Sequence, residues 1–328
     1  MLERDELRCG VRHGVPYFGL KADNGTVAGF EIEFCKAIAA AVLGDPEKVE
    51  YVDASDPRTR FELLNDARID VLMVATATTA SLDVGSRVDF AQPIFYSGLG
   101  FLVRKDSGYH SASDMSGLDG DTICLDPDSP GIGRVLDYFA SIGIEYVLRG
   151  GGIGGHAVMP FFWGRCDLLV WDFASFGPRL ALLDDGDEYR ILPEVIAREP
   201  LAPAVREDDS LWKDVINWVI QGLIAAEELG ITQADAASKA DDIGADAQTR
   251  RLLGVHYERG ELWTPGFAAL DARFMQRAIA AVGNYGEIYE RTIGDAIPRT
   301  CTPNALAIDD SVDCPEGQGG LLHALPYR

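Results

Sequence analysis

The segment VEYVDASDPRTRFELLNDARIDVLMV, residues 49–74, decides the fold class because it contains a strand, a helix and a second strand in succession. Residues 49–52 predict the first strand, residues 58–66 predict a helix, and the apolar run at 69–74 predicts a buried strand. An earlier strand and an amphipathic helix at 33–44 precede this segment. The alternation predicts an α/β fold with a parallel, doubly wound sheet.

A second alternation of strands and helices follows the first. Its predicted strands lie at 122–125, 146–148 and 168–171, and its predicted helices at 132–142 and 158–164. Crossings near residues 101–104 and 199–206 join the two alternations, and helices are predicted at 209–229, 249–253 and 271–292. The sequence therefore predicts a two-lobed protein with a ligand cleft, because open α/β sheets bind ligands at the carboxyl ends of their strands.

The composition narrows the function classes. The chain has 328 residues, of which 47% are hydrophobic, and it carries a formal net charge of −23. Such a charge repels phosphate backbones, so no nucleic-acid partner is expected. No apolar run approaches the roughly 18 residues that a membrane span needs. The acidic surface is typical of salt-adapted or secreted proteins.

The six cysteines predict the compartment. They are Cys9, Cys35, Cys124, Cys166, Cys301 and Cys314. None belongs to a CxxC pair or has histidine neighbours at zinc-ligand spacing. Their even number predicts disulfides and an oxidising compartment, with reduced core cysteines as the alternative. The charged opening MLERDELRCG is not a signal peptide, so an exported protein would be a mature chain with a start methionine added.

Motifs for cofactors and catalysis are weak. The stretch RGGGIGGHAV at 149–158 matches the dinucleotide-binding pattern GxGxxG through Gly150, Gly152 and Gly155. The helix predicted after it is short and contains Pro160, so a connector, or a glycine loop that lines the cleft, is the preferred interpretation. The five histidines are scattered singly, and the sequence contains no GxSxG or HExxH motif. No catalytic residue, metal ligand or cofactor is therefore predicted.

Aromatic and acidic residues at strand ends are better candidates for ligand contacts. Tyr17 and Phe18 follow the first predicted strand, and Trp171 and Asp172 end a later one. An aspartate beside aromatic rings suits an ammonium group, through charge-assisted hydrogen bonds and cation–π contact. Core packing is the alternative interpretation of each ring.

Eight segments, in order along nearly the whole chain, resemble one family. They are CGVRHGVPYFG, GFEIEFCKAIAAAVLGDPEKVEYV, RFELLNDARIDVL, VDFAQPIFYSGLGFLVRK, GRCDLLVWD, LPEVIAREPLAPAVRE, DSLWKDVINWVIQGLIAAEELGIT and AVGNYGEIYER. Together they are similar to bacterial extracytoplasmic solute-binding proteins of the polar amino-acid ABC-transport family, particularly the branch for general L-amino acids. The resemblance implies a type II periplasmic-binding fold with two doubly wound lobes joined by a two-strand hinge. Lobe 1 would comprise residues 1–102 and 203–328, and lobe 2 residues 103–202.

The resemblance also implies a mode of action. In the family a small ligand closes the two lobes, and an ABC permease reads the closed form. We therefore expect a monomeric periplasmic protein that has no cofactor and performs no catalysis. The implied disulfides join Cys9 to Cys35, Cys124 to Cys166 and, as an addition in this chain, Cys301 to Cys314.

The family's carboxylate clamp is the point of departure. In the family an arginine in a TxxR stretch of lobe 1 grips the ligand's α-carboxylate. Thr79 matches the threonine, but the arginine position falls on Leu82, and Arg87 lies five residues further on. Ala75 and Ala77, on either side of Thr76, stand where the family has polar or cationic side chains. The resemblance therefore implies a ligand site that lacks its usual cation.

The lobe 2 side of the site is mixed. Asp128 and Ser129 stand at the helix start that docks the carboxylate in the family, whereas Asp172 falls on the aspartate that binds the ammonium group. Three repairs are alternatives. Arg12 supplies the cation, or the glycine loop at 150–155 supplies N–H donors, or the ligand is an amine without a carboxylate. The third is preferred, so an amino acid or amine-like derivative is expected.

Two other functions stay open on the same fold. One is a sensor or orphan binding protein that delivers its ligand to a receptor. The other is a periplasmic dehydratase-like enzyme, with Asp128 as its general acid or base. The missing arginine counts against the enzyme, because its substrates carry carboxylates.

Overall fold

The computed structural model describes residues 1–115, 122–125, 132–143, 147–150, 158–242, 244–255, 257–258, 261–262, 270–307, 314 and 319–327. The chain divides into two compact units, each of them discontinuous in sequence. Unit 1 comprises Met1–Phe95, Leu201–Ile293 and Leu322–Arg328, and unit 2 comprises Tyr96–Pro200 and Gly294–Leu321.

The first part of unit 1 contains the sheet that the opening segment predicts. Its strands are β1 (Leu7–Val11), β2 (Gly14–Val15), β3 (Gly19–Lys21), β4 (Val27–Ala28), β5 (Val49–Asp53), β6 (Val71–Ala77) and β7 (Val88–Phe90). Its helices are α1 (Phe30–Leu43), α2 (Arg60–Asn65) and α3 (Ala80–Ser86). β1 pairs in parallel with β5 and with β6. The strand–helix–strand prediction is confirmed, and β6 runs three residues beyond its predicted end at residue 74.

Two glycines bound α1, the helix predicted at 33–44. The helix follows Gly29, whose φ of +135° is open to glycine, and a Cβ there would lie 2.3 Å from Phe18 O. It ends at Gly44 in the left-handed conformation, as predicted. Its buried Phe30 packs edge-on against Tyr285 and Phe18, and its buried Phe34 packs against Tyr285 with an angle of 59° between the rings.

Unit 2 contains the second alternation of strands and helices. The strands are β8 (Phe95–Arg104), β9 (Thr122–Leu125), β10 (Val147–Gly150), β11 (Leu168–Asp172) and β12 (Tyr189–Arg206), and the helices are α4 (Ile132–Ser141), α5 (Val158–Phe162) and α6 (Phe173–Leu180). The strand order is β10–β9–β11–β8, with β8 antiparallel to β11. The predicted second alternation is confirmed. β8 and β12 are the strands within which the chain passes from one unit to the other.

The rest of unit 1 is mainly helical. Its elements are α7 (Ser210–Glu228), α8 (Ala236–Asp241), α9 (Ala247–Leu252), β13 (Tyr257–Glu258), β14 (Glu261–Leu262), α10 (Phe274–Val282) and α11 (Tyr285–Tyr289), followed by a π-helical turn at Glu290–Gly294. The prediction of one helix over 271–292 is wrong. Gly283 has a φ of +82°, and Asn284 begins a new helix by forming a capping box with Glu287.

The three disulfides are Cys9–Cys35, Cys124–Cys166 and Cys301–Cys314. All three implied pairings are confirmed. The first joins β1 to α1 in unit 1, and the second joins β9 to the turn before β11 in unit 2. Each of these two disulfides therefore ties a strand to another segment of the same unit.

The segment Gly294–Leu321 is where the units differ from the expected lobes. It belongs to unit 2, although the sequence analysis expects all of 203–328 in lobe 1. The Asn304 amide accounts for its place, because it donates to Tyr96 O at 2.9 Å and accepts from the Tyr96 N–H at 2.7 Å. The assignment of lobes stays a prediction.

Candidate ligand-binding site

The carboxyl edge of the sheet in unit 1 gathers polar side chains from separate segments. β1, β5 and β6 are parallel neighbours, so their carboxyl ends meet at this edge. Arg12 follows β1, Arg60 begins the helix after β5, and Thr76 lies near the end of β6. Open α/β sheets bind ligands at this edge, which makes it the candidate site in unit 1.

Arg12 is paired with a buried carboxylate. Glu31, in the first turn of α1, is fully buried. Its carboxylate forms an ion pair with Arg12 Nη2 and accepts a hydrogen bond of 3.4 Å from Arg12 Nε. Burial raises the pKa of Glu31, and the charge of Arg12 opposes this rise. The structure thus differs from the expectation that Arg12 is free to replace the missing cation.

Arg60 is a cation that the sequence analysis did not select. Its Nη1 donates a hydrogen bond of 3.3 Å to Thr76 Oγ1, and its Nε is buried with no hydrogen-bond partner. Burial first, and then the charge of Arg12, lower the pKa of Arg60. In the part of the chain that the structure describes, no carboxylate forms an ion pair with Arg60. The available signal was its place at the start of a helix that follows a parallel strand.

The stretch that the sequence analysis compares with the TxxR motif is split between a strand and a helix. Ala75, Thr76 and Ala77 belong to β6, where Thr76 and Ala77 lie opposite Ala202 and Leu201 of β12. Thr79 is the N-cap of α3, and its Oγ1 accepts a hydrogen bond of 3.3 Å from the Leu82 N–H. The Thr79 hydroxyl therefore serves the helix start.

The side chains at positions 82 and 87 on α3 differ in exposure. Leu82 is half-buried in the first turn of the helix, at the position expected for the arginine. Arg87 is exposed at the C-cap, where its φ is +54°. Arg87 thus lies at the opposite end of α3 from Thr79.

The predicted aromatic wall is divided between core and surface. Phe18 is only 1% exposed and packs edge-on against Phe30 and Phe95. The Arg12 guanidinium lies over its ring, 5.2 Å from the centroid. Phe18 is therefore packed in the core, which was the alternative interpretation of its ring, and it supports Arg12. Tyr17 is half-buried, with a φ of +68°.

In unit 2, Asp172 is held by two hydroxyl groups. Ser97 Oγ donates to Asp172 Oδ1 at 2.7 Å, and Ser175 Oγ donates to Asp172 Oδ2 at 2.5 Å. These donors fix the carboxylate at the end of β11 and the start of α6. Neither serine was selected from the sequence, because each lies on a different element from β11.

A second carboxylate of unit 2 lies near Asp172. Burial and then the charge of Asp172 raise the pKa of Glu199. Glu199 is half-buried. Across the described residues, no lysine, arginine or histidine forms an ion pair with either acid. Asp172 at the end of β11 and Glu199 within β12, neither of them in an ion pair, favour a nearby cationic group.

Some predicted features lie outside the described residues. They are Asp128, Ser129 and most of the glycine loop at 150–155. Among the residues that are described, no group of three or more His, Cys, Asp and Glu side chains is arranged to hold a metal ion. Nor does that part of the chain contain a helix long and apolar enough to cross a membrane.

Residues 7–234 match the model of the bacterial extracellular solute-binding proteins, family 3. The chain belongs to this family. The resemblance is confirmed, and the family is one of extracellular solute-binding proteins. One relative, the glutamate/glutamine/aspartate/asparagine-binding protein BztA of Rhodobacter capsulatus, is 35% identical over 99% of this chain and 91% of its own length. Another, the general L-amino acid-binding periplasmic protein AapJ of Rhizobium johnstonii, is 34% identical over 98% and 90%.

A solved structure of this family supports the fold. It is an ABC transporter periplasmic binding protein from Brucella ovis with glutathione bound, and it is 32% identical to this chain with a TM-score of 0.73. The match covers 100% of this chain and 98% of the other. The predicted type II periplasmic-binding fold and the solute-binding role are therefore confirmed. The relatives of this chain bind small molecules and work with ABC transporters.

Proposed function

We propose that this family 3 solute-binding protein captures an amino acid or an amine-like derivative in the periplasm and delivers it to an ABC permease. The ligand closes two lobes about a hinge formed by β8 and β12, the protein acts as a monomer, and no bond in the ligand is made or broken. Tyr17, Thr76 and Thr79 are proposed ligand contacts, and Asp172 is the proposed ammonium site.

The observation that carries this proposal is the acidic pair in unit 2. Asp172 is fixed by the hydroxyl groups of Ser97 and Ser175, and Glu199 lies near enough for its pKa to rise. An ammonium group offers three N–H donors and a full positive charge, and so satisfies a carboxylate better than water or a hydroxyl group does. Binding it also relieves the repulsion between the two acids.

The relatives support the same ligand class. BztA and AapJ are named for the binding of amino acids, and every amino acid of that set carries an α-ammonium group. The sensor and dehydratase alternatives share the fold, but no contact in the described residues favours either. The permease remains the preferred recipient because the relatives include putative amino-acid ABC transporter-binding proteins from Escherichia coli.

A thermal-shift screen tests the proposal. The protein is first unfolded and refolded to remove bound ligand, and is then scanned with α-amino acids, their decarboxylated amines, polyamines, betaines and dicarboxylates. A ligand at about 100 times its Kd adds about 2.7 kcal/mol to the free energy of unfolding, which raises the Tm by several degrees. Stabilisation by ammonium compounds is expected. Stabilisation by dicarboxylates alone, or by no compound, contradicts the proposal.

A further inference from the structure

We propose that Arg60 and Thr76 form an anion subsite at the carboxyl edge of the sheet in unit 1, and that this subsite binds the carboxylate of the ligand. The inference rests on the proposed solute-binding function and narrows the ligand class. The ligand then carries both a carboxylate and an ammonium group, as an amino acid does, and a simple amine is a poor ligand.

The first support is the contact itself. Arg60 Nη1 donates to Thr76 Oγ1 at 3.3 Å, so the two side chains already present N–H and O–H groups at one place. Thr76 lies near the carboxyl end of β6, and Arg60 begins α2 after β5. A carboxylate placed there accepts two N–H bonds from the guanidinium fork and one O–H bond from the threonine.

The second support is the unmet hydrogen-bonding capacity of Arg60. Its Nε is buried and has no hydrogen-bond partner. A buried donor without a partner is rare in folded proteins because it loses its bond to water and gains nothing in return. The Nε and one Nη of an arginine lie on one edge of the fork, which is the edge that binds a carboxylate through two bonds.

The third support is the charge balance of the cluster. Arg12 is taken up by Glu31, which forms an ion pair with it and is fully buried. Arg60 forms no ion pair among the described residues, although the charges of Glu31 and Asp56 act on it and oppose the lowering of its pKa by burial and Arg12. Because an acidic protein offers many carboxylates for pairing, an arginine left unpaired beside another arginine favours an external anion.

The subsite also accounts for the loss of the family arginine. The position expected for that residue is Leu82, in the first turn of the helix after β6. Arg60 occupies the first residue of the helix after β5, and β5 and β6 flank β1 in the same parallel sheet. A cation can therefore reach the same sheet edge from either helix start. The carboxylate clamp has moved from one strand–helix connection to the other.

Titration calorimetry on paired ligands tests the inference. The probes are L-glutamine and L-asparagine, each with the amine formed by loss of its α-carboxylate, which carries no other carboxylate. Wild type should bind at least one amino acid and bind its amine about 100-fold more weakly. Arg60→Gln should weaken binding of the amino acid by about 100-fold and binding of the amine by less than about 3-fold. Arg60→Lys should lose less affinity for the amino acid, since lysine keeps the positive charge but lacks the guanidinium fork.

The controls separate binding from folding. Arg58→Gln removes an exposed arginine two residues away, whose charge is already paired with Asp56, and should leave both affinities unchanged. Thr76→Val keeps the shape of Thr76 without its hydroxyl group and should weaken binding of the amino acid but not of the amine. If Arg60→Gln does not refold in a ligand-free thermal scan, Arg60→Lys and Thr76→Val decide the matter by the same comparison.

The outcomes are distinct. An unchanged amino-acid affinity in Arg60→Gln overturns the inference, and so does an equal loss for the amino acid and its amine. A wild type that binds amines as tightly as amino acids also overturns it, while the proposed solute-binding function stands. A wild type that binds neither the probes nor any compound of the thermal-shift screen contradicts the proposed function and the inference together.

Discussion

Arg60 and Thr76 are 16 residues apart in sequence, and a hydrogen bond of 3.3 Å joins their side chains at the carboxyl edge of the parallel sheet in unit 1. The bond links the helix after β5 to the end of β6. It brings a cation to the stretch in which the sequence analysis expects Leu82 in place of the family's arginine. The following predictions concern this edge, the acidic pair in unit 2 and the stability of each unit.

Restoring an arginine at position 82 should rescue the loss of Arg60. In the Arg60→Gln background, we expect Leu82→Arg to recover at least about tenfold in affinity for the preferred amino acid, because both helix starts face the same sheet edge. Titration calorimetry measures the recovery. Val84→Arg is the matched control, since Val84 lies on the same helix and is 78% exposed. Equal recovery in both variants would show a general effect of charge and contradict the prediction.

Removing the charge of Asp172 should abolish binding of every ammonium ligand. Asp172→Asn keeps the shape of the side chain but loses the charge that pairs with the ligand. We expect about a 100-fold loss for amino acids and amines alike. This pattern differs from that of Arg60→Gln, which spares amines. Asp137→Asn, at an exposed position of α4, is the control in unit 2. Wild-type affinity in Asp172→Asn would contradict the proposed ammonium site.

The buried Glu31 carboxyl should make stability depend on pH. Burial raises the pKa of the Glu31 carboxyl in the folded protein above its ordinary value of 4.5. The folded state thus holds this proton more tightly than the unfolded chain, so the contribution of Glu31 is fully present below about pH 4.5 and is lost as the pH rises through the folded-state pKa. Glu31→Gln lacks this titration. The free energy of unfolding of wild type minus that of Glu31→Gln should therefore fall as the pH rises.

Urea denaturation between pH 4 and pH 8 measures this difference. Glu33→Gln is the control, because Glu33 lies on the same helix and pairs with Arg291 at the surface. The control should not show the same fall. A difference that grows with pH would mean that the attraction of Arg12 outweighs burial, and would contradict the stated direction of the pKa.

The Cys301–Cys314 disulfide should stabilise the segment that clusters with unit 2. Its partners are 13 residues apart in sequence, compared with 42 for Cys124–Cys166. In the chain-entropy model, replacing both cysteines by serine lowers the free energy of unfolding by about 3 kcal/mol for the shorter loop and about 4 kcal/mol for the longer one. Urea denaturation under non-reducing conditions measures both. No loss for Cys301→Ser/Cys314→Ser would show that the tail does not unfold with the rest.

Much of the fold was predictable from local patterns. The apolar run of β6, the β-branched and aromatic residues of β5 and the periodic spacing of α1 indicate the strands and the helix. The break at Gly283 was missed because apolar residues continue at helical spacing across it. The sequence did contain a signal, since Asn284 and Glu287 form a capping-box pattern.

The candidate site was predictable only where one residue acts with its neighbours in sequence. Asp172 could be selected because it ends a strand beside Trp171. Arg60 and Glu199 could not, because their relation to Thr76 and Asp172 exists only after distant strands and helices have packed. The same reason explains Arg12, whose position at a strand end is visible in the sequence but whose pairing with Glu31 is not.

The most direct test of the account is calorimetric titration of refolded wild-type protein with an amino acid and with the amine that lacks its α-carboxylate. An ammonium site at Asp172 and a carboxylate site at Arg60 predict that the amino acid binds and that the amine binds about 100-fold more weakly. Equal affinities would contradict the anion subsite at Arg60. If neither of these two compounds nor any compound of the thermal-shift screen binds to the protein, the solute-binding account itself is contradicted.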